Sequence, residues 1–241
     1  MSKAESRQTP RPKSNWQQSS EAKLSRFFEG LKSKRVQLFV EKLGLGPDDV
    51  VLDLGSEDGS YLSKYYPYPH NIIIADIHEP PMKRGVEKHG LGGYRLISPD
   101  GPLPFEDKEF RAVWCNSVIE HVTVARDELG NISSKDFVDQ AEEHQSRFAK
   151  EIMRVAQAYF VQTPNKHFPI ESHSIMPLIA YLPHATRYRL SQRVKKFWVK
   201  QWTADFHLYD RKRFRRHYPD ATEYCDERAF GLSKSLIAIR K

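Results

Sequence analysis

The residues best suited to bind a ligand lie at the end of an apolar run at 50–54 and in the short turn that follows it. Three acids and two glycines occur there, in the order Asp53, Leu54, Gly55, Ser56, Glu57, Asp58 and Gly59. Glycine permits a sharp turn and a close approach of ligand to backbone, and a helix beginning near Ser60 points its amino end at that ligand. Glu57 stands where dinucleotide-binding turns have a middle glycine, which disfavours a pyrophosphate. The turn therefore favours a ligand with positive charge, such as an ammonium or a sulfonium.

A further acid ends the next apolar run of the chain. Asp76 closes residues 71–76 and lies 21 positions after Gly55. An acid at about this separation can bind both hydroxyls of a ribose. Ile77, the next residue, is predicted to lie in the same site. The alternative is an aspartate that only caps the strand end, and the sequence leaves it open.

Two more motifs follow in order. Asp100 and Gly101 precede the segment Leu103-Pro104-Phe105, and Ile119-Glu120-His121 follows an apolar run that ends at Asn116. With the two earlier acid-bearing turns, these motifs make the chain resemble the class I S-adenosylmethionine-dependent methyltransferases, specifically the subgroup with a type-11 methyltransferase domain. The resemblance extends over about residues 50–164. It implies S-adenosylmethionine as the cofactor and methyl transfer as the reaction.

The resemblance also implies which positions contact the cofactor. They are Asp53, Gly55, Ser56, Gly59, Asp76, Ile77, Asp100, Gly101 and Asn116. The residues of the first turn would hold the methionine end of the cofactor, and Asp76 would bind its ribose. Asp100 and Gly101 would flank the adenine, and Asn116 would line the floor of the cofactor site. The chain departs from the family pattern in two places. Glu57 replaces the usual middle glycine, and Asp100 lies one residue nearer Leu103 than is common.

Methyl transfer requires the acceptor and the methyl group to be aligned, and a base is needed only when the acceptor loses a proton. His121, after the fourth predicted strand, is a candidate base, and His173, after the fifth, is a second candidate catalytic residue. A structural histidine that bonds a loop carbonyl is the alternative for His121. His167, Glu171 and His173 lack the close spacing typical of metal ligands, so no metal site is predicted.

The apolar runs predict the strands that position these residues. They alternate with helical segments and lie at 50–54, 71–76, 94–97, 111–116 and 158–162. This alternation predicts an α/β fold with a Rossmann-like, doubly wound, mostly parallel sheet. Residues 223–228 and 236–239, joined by 230–233, predict an antiparallel C-terminal hairpin. An inserted lid is predicted over about 164–209, within a methyltransferase domain of residues 24–241.

The composition predicts one globular domain in a reducing compartment. The 241 residues are 39% hydrophobic and 29% charged, which is ordinary for a folded chain. Residues 1–23, rich in Ser, Gln, Lys and Pro, predict a disordered tail without the apolar core of a secretory signal. No apolar run approaches the length of a membrane span, and Cys115 and Cys225 suggest no disulfide framework. A cytoplasmic protein is expected.

The positive charge of the chain is concentrated in one region. The net charge is +7, and residues 187–216 contain eleven Lys or Arg against two Asp. Such a region can bind nucleic-acid phosphates, rest on an anionic membrane or form the solvated side of a helix, and the last is favoured. Base methylation is disfavoured because Trp114 precedes Cys115 where cysteine-using relatives have proline. In addition, Asn116 does not open an N-P-P-Y pattern.

The sequence therefore predicts an S-adenosylmethionine-dependent methyltransferase with a small-molecule acceptor, for which a glycan or a lipid-linked intermediate is a candidate. Two alternatives remain. Glu57 favours a cofactor-binding protein of the same fold without activity, and the basic region favours an RNA methyltransferase. The acceptor atom and the oligomeric state are not predicted.

Overall fold

The computed structural model describes residues 15–99, 101–194 and 202–241, with side chains from residue 29 onward. The strands are β1 (Val51–Leu54), β2 (Ile72–Asp76), β3 (Gly93–Leu96), β4 (Phe110–Asn116), β5 (Ala156–Pro164), β6 (Glu223–Ala229) and β7 (Leu232–Arg240). The α-helices are α1 (Asn15–Leu43), α2 (Ser60–Tyr65), α3 (Glu79–His89), α4 (Ser134–Val155), α5 (His184–Val194) and α6 (Arg211–His217). A short 3₁₀ helix, Ile119–His121, follows β4.

The strands form one sheet in the order β3-β2-β1-β4-β5-β7-β6. Neighbours among β1 to β5 are parallel, whereas β7 runs antiparallel to β5 and β6. The direction of strand order reverses between β1 and β4, and open α/β sheets leave a ligand crevice at such a point. Asp53 of β1 lies opposite Trp114 of β4, so the predicted motifs meet at one edge. The predicted Rossmann-like fold is confirmed.

The C-terminal hairpin is tighter than the sequence predicts. β7 begins at Leu232 rather than at 236, and Ala229 pairs directly with Leu232. The connection is therefore two residues long, Phe230 and Gly231, with φ angles of 51° and 78°. Positive φ at both central residues matches the twist of the flanking strands. The four-residue connection at 230–233 was wrong because its last two residues continue the strand.

Aromatic packing anchors the sheet to α1. Trp114 of β4 stacks on Phe160 of β5 at 5.0 Å between ring centroids, and Phe39 of α1 lies 5.0 Å from Trp114. All three side chains are buried, and each contributes roughly 1.5–3 kcal/mol relative to an exposed ring. On the other face, Ser133 caps the amino end of α4, and its hydroxyl accepts a hydrogen bond from the backbone N–H of Asp136. The sheet edge that carries the motifs is thus held from both faces.

α1 changes the predicted extent of the N-terminal tail. Residues 15–23 are helical rather than disordered, and residues 1–14 lie outside the described residues. This stretch contains good helix formers, Gln, Glu, Ala and Lys, and it continues a segment whose Val36 and Phe39 are buried in the core. Packing of one part of a helix supplies the costly nucleus from which the rest extends.

None of the described helices combines the length and the apolar character that crossing a lipid bilayer requires.

Candidate active site

The turn after β1 follows the path of a glycine-rich turn although one glycine is replaced. Gly55 has φ of 79° and donates its N–H to the carbonyl of Ala75 at 2.7 Å. A Cβ at this position would lie 2.4 Å from Val118, so only glycine fits. Glu57 has φ of 57°, which costs a non-glycine residue roughly 1–2 kcal/mol. The replacement therefore preserves the backbone of the turn and adds an exposed carboxylate.

Asp53 presents a buried carboxylate without a partner. Both of its oxygens are buried and neither accepts a hydrogen bond among the described residues. Burial, with the nearby charges of Asp76 and Asp58, raises the pKa of Asp53 to about 7. Leaving such a group unsatisfied is costly. The arrangement suits a ligand that brings a cation to Asp53.

Asp76 lies at the end of β2 and is held by the backbone. Its Oδ2 accepts the N–H of Glu57 at 3.0 Å, and its Oδ1 accepts the N–H of His78 at 3.1 Å. Each carboxylate oxygen retains a further lone pair, and two hydroxyls of one ligand can donate to them. Ile77, half-exposed beside it, offers an apolar surface.

Two cavities open at this edge of the sheet. Cavity 1, about 540 Å³, is lined by Asp53, Ser56, Tyr61, Trp114, Asn116, His173 and Trp202 among others. Cavity 2, about 480 Å³, is lined by Asp76, Ile77, His78, Ile97, Ser98 and Pro99 among others. The residues that line both are Gly55, Glu57, Ser117, His121, Arg126 and Asp205. A ligand that spans the shared wall can therefore contact both strand-end acids.

The predicted cofactor residues do not all reach these cavities. Gly59 has φ of 66° and is buried at the amino end of α2, where it supports the turn. Gly101 is exposed and lines neither cavity, and Asp100 lies outside the described residues. Residues 97–99 line cavity 2 in place of Asp100 and Gly101. No sequence motif marks this stretch.

Asn116 lies in the wall of cavity 1, and an arginine from α1 holds it in place. Nη1 of Arg35 donates to Oδ1 of Asn116 at 2.5 Å and to Oε1 of Gln162 at 3.2 Å. The remaining guanidinium nitrogens bind Glu227 of β6. No local pattern in the sequence indicates a role for Arg35, because it lies 81 residues from Asn116 on an ordinary helical segment.

The two predicted catalytic histidines meet at the cavity wall. Nε2 of His121 lies 2.9 Å from Nε2 of His173, although the residues are 52 positions apart. Nδ1 of His121 lies 3.4 Å from Oδ1 of Asp205, and Nδ1 of His173 lies 2.5 Å from Oε1 of Glu171. Burial opposes protonation of His173, but Glu120 and Glu171 raise its pKa to about 9. Predicted lid residues thus complete the site.

The basic region is less available to an anion than its composition indicates. Arg187 is buried and donates to the carbonyl of Phe206. Arg213 is buried against Glu142 and Gln145, and Glu142 also binds Arg216. Residues 195–201, which carry three of the lysines, lie outside the described residues. Arg187 and Arg213 were predicted as surface cations, and tertiary packing turns both inward.

The chain is similar to known methyltransferases in sequence pattern and in fold. A family model described as a methyltransferase domain matches residues 52–158. The methyltransferase domain of bacterial CtHen1-CN is 16% identical, with 87% of this chain and 98% of that one covered and a TM-score of 0.53. An S-adenosylmethionine-dependent methyltransferase from Aquifex aeolicus is 14% identical, with coverage of 85% and 87% and a TM-score of 0.49.

A Methanosarcina mazei protein of the same description is 16% identical, with 81% of this chain and 92% of that one covered and a TM-score of 0.48. No curated protein sequence matches the chain. At 16% identity and a TM-score of 0.53, the likeness to CtHen1-CN bears on the fold alone, whereas the family model bears on the motifs from β1 to β5. The motifs, the strand order and the family match over residues 52–158 together support a class I S-adenosylmethionine-dependent methyltransferase.

Proposed function

We propose that this methyltransferase acts on a small-molecule acceptor that enters cavity 1, with a soluble glycan or a lipid-linked intermediate as the candidate class. The observation that carries the proposal is the wall that Gly55, Ser117 and His121 share between the two cavities. A cofactor that spans this wall leaves room for a second molecule beside it. Cavity 1, at about 540 Å³, lies within the usual size range of small-molecule pockets.

The cofactor is assigned to the cavities by charge. Its adenosine half occupies cavity 2, where Asp76 receives the ribose hydroxyls and Ile77 contacts the purine. Its methionine half reaches over Gly55 to Asp53, whose carboxylate has no other partner. When bound, the cofactor supplies a methyl group already activated by a sulfonium. The chain's own task is to align an acceptor with that methyl group.

The acceptor is assigned to the aromatic and histidine-bearing part of cavity 1. Tyr61 and Trp114 form apolar wall there, and Trp202 from the lid has an indole N–H without a partner among the described residues. A donor of this kind suits an acceptor oxygen. An acceptor hydroxyl must lose its proton during transfer, and His121 and His173 line the same cavity as candidate groups for that step.

Pairing of the basic side chains argues against RNA as the acceptor. Arg187 and Arg213 are buried, and Arg211 and Arg216 bind Asp226 and Glu142. Cations already paired with acids release fewer counterions from a phosphate backbone. RNA methylation therefore remains the second candidate function, supported by the exposed Arg189 and Arg193.

Transfer of a labelled methyl group tests the proposal. Tag-free protein is incubated with methyl-labelled S-adenosylmethionine and with separate small-molecule, lipid and RNA fractions of a cell extract. Label is expected in the small-molecule or lipid fraction. Label in the RNA fraction alone, with salt-sensitive RNA binding, would overturn the proposed acceptor class.

A matched pair of variants then tests the assigned cavity. Trp202→Phe keeps the ring and removes the N–H, so the KM for the acceptor should rise roughly 2–10-fold, the worth of one hydrogen bond. S-adenosylhomocysteine affinity should not change. Tyr181→Phe is the control, because Tyr181 bonds His167 on the lid and lines neither cavity. An unchanged KM in both variants contradicts the placement of the acceptor beside Trp202.

A further inference from the structure

Three side chains that metals commonly bind converge beneath the shared cavity wall. Glu120 and His121 lie in the 3₁₀ helix after β4, and His173 reaches them from the segment after β5. One ligand atom from each lies within 4.8 Å of the other two. We propose that Glu120, His121 and His173 bind a divalent transition-metal ion whose open coordination positions face cavity 1.

The outer nitrogens of both imidazoles are already engaged by carboxylates. Nδ1 of His173 faces Glu171, and Nδ1 of His121 faces Asp205. A carboxylate at Nδ1 holds the proton on that nitrogen and leaves the lone pair on Nε2. The two Nε2 atoms lie 2.9 Å apart, so one proton bridges them in the metal-free protein. A cation bound by both Nε2 atoms takes the place of that proton, and carboxylate-backed imidazoles are the usual outer support of a metal site.

Glu120 supplies the third ligand. Its side chain is fully buried, and its Oε2 accepts the hydroxyl of Thr163 at 3.0 Å. Its Oε1 accepts no hydrogen bond among the described residues and lies 3.7 Å from Nε2 of His173. A buried carboxylate oxygen without a partner is costly. Oε1 is therefore a second, independent feature that calls for a cation at this position.

The ligand set selects the kind of ion. Nitrogen ligands about 2.0–2.1 Å from a metal lie about 2.9 Å apart at the 90° angle of octahedral geometry and about 3.4 Å apart at the tetrahedral angle of zinc sites, so the observed Nε2 separation of 2.9 Å matches octahedral geometry. Two imidazoles and one carboxylate suit Zn²⁺, Mn²⁺, Fe²⁺ or Co²⁺, whereas Mg²⁺ and Ca²⁺ prefer oxygen. Three protein ligands leave positions open for an exogenous group, as catalytic metal sites do.

The open positions give the metal a role in the proposed reaction. An acceptor hydroxyl bound there would lose its proton to solvent more readily, because a metal lowers the pKa of a bound oxygen. This role rests on the proposed function, whereas metal binding itself does not. It also departs from the sequence-based prediction of no metal site, which considered His167 and Glu171 beside His173 rather than Glu120 and His121.

Cobalt titration tests the site without an activity assay. Tag-free protein is stripped with a chelator, Co²⁺ is added, and visible d–d absorption is recorded. One equivalent should give saturable bands that Zn²⁺ abolishes by displacement. His173→Ala and Glu120→Gln should lose the bands, and Asp205→Asn should weaken Co²⁺ binding roughly 10–100-fold. His167→Ala is the control, because that lid histidine bonds Tyr181 outside the cluster.

S-adenosylhomocysteine calorimetry on each variant reports whether the cofactor site still folds. Absence of one-equivalent Co²⁺ binding in the wild-type protein, or equal Co²⁺ binding by His173→Ala, would overturn the metal site. In that case the imidazole pair shares a proton instead. Persisting transfer to small molecules would then leave the proposed function standing, whereas metal binding without any small-molecule methylation would overturn only the proposed function.

Discussion

Replacing Asp53 with asparagine separates two effects of its buried carboxylate, the cost in folding stability and the contribution to cofactor binding. The pKa of Asp53 is raised from 3.8 to about 7 in the folded chain. A raised pKa means that the stabilising contribution is full below the unfolded value and is lost as pH rises through the folded value. Between pH 4 and pH 7 the ligand-free protein should therefore lose about 4 kcal/mol, at 1.36 kcal/mol per pKa unit.

Asp53→Asn removes that pH dependence, so the variant should be more stable than the wild type at pH 8 and similar to it at pH 4. Urea unfolding at both pH values measures the difference, and comparing the two proteins cancels the other titrating groups. The affinity of the variant for S-adenosylhomocysteine should fall, although its stability at pH 8 rises. Loss of a charged hydrogen-bond acceptor costs roughly 1.5–3 kcal/mol, or about 10–150-fold in Kd.

Proton release provides a third measurement. At pH 6 the ligand-free carboxyl is mostly protonated, and a cationic ammonium favours its ionised form, so wild-type binding should release a proton. Calorimetry in buffers with different ionisation enthalpies detects it. A variant less stable than the wild type at pH 8, or wild-type binding without proton release, would show that Asp53 is structural rather than a cofactor ligand.

Three other changes test the remaining assignments. Asp76→Ala should weaken S-adenosylhomocysteine binding by roughly 1–3 kcal/mol because ribose hydroxyls lose a charged acceptor, and an unchanged Kd by calorimetry removes Asp76 from the site. Gly55→Ala places a Cβ 2.4 Å from Val118 at φ of 79°, so thermal unfolding and cofactor titration should show loss of stability by roughly 1–3 kcal/mol together with weaker binding; wild-type values for both contradict the close approach. Arg193→Glu combined with Lys196→Glu should leave the S-adenosylhomocysteine Kd unchanged, because both residues lie outside the cofactor motifs of the sequence. Any RNA binding should weaken and depend less steeply on salt. Weaker cofactor binding by a folded variant would show that the basic region contributes to the cofactor site.

Local patterns in the sequence were enough to predict that the acid-bearing motifs share one edge of the sheet. Apolar runs separated by helices specify parallel strands, and the carboxyl ends of such strands share an edge. The acids that end β1 and β2, Asp53 and Asp76, follow from that rule, as does the position of His121. Glu57 was visible as a departure, but its positive φ was not, because one residue's backbone conformation depends on the turn around it.

Tertiary structure alone decided which distant side chains meet. His173 reaches His121 because the segment after β5 folds back over the sheet edge, and Arg35 reaches Asn116 because α1 packs across β4. Neither pairing has a local signal, since contacts between distant positions depend on how whole elements pack. The basic region shows the same limit. A count of charges gives their number, but burial of Arg187 against Phe206 depends on packing that composition does not encode.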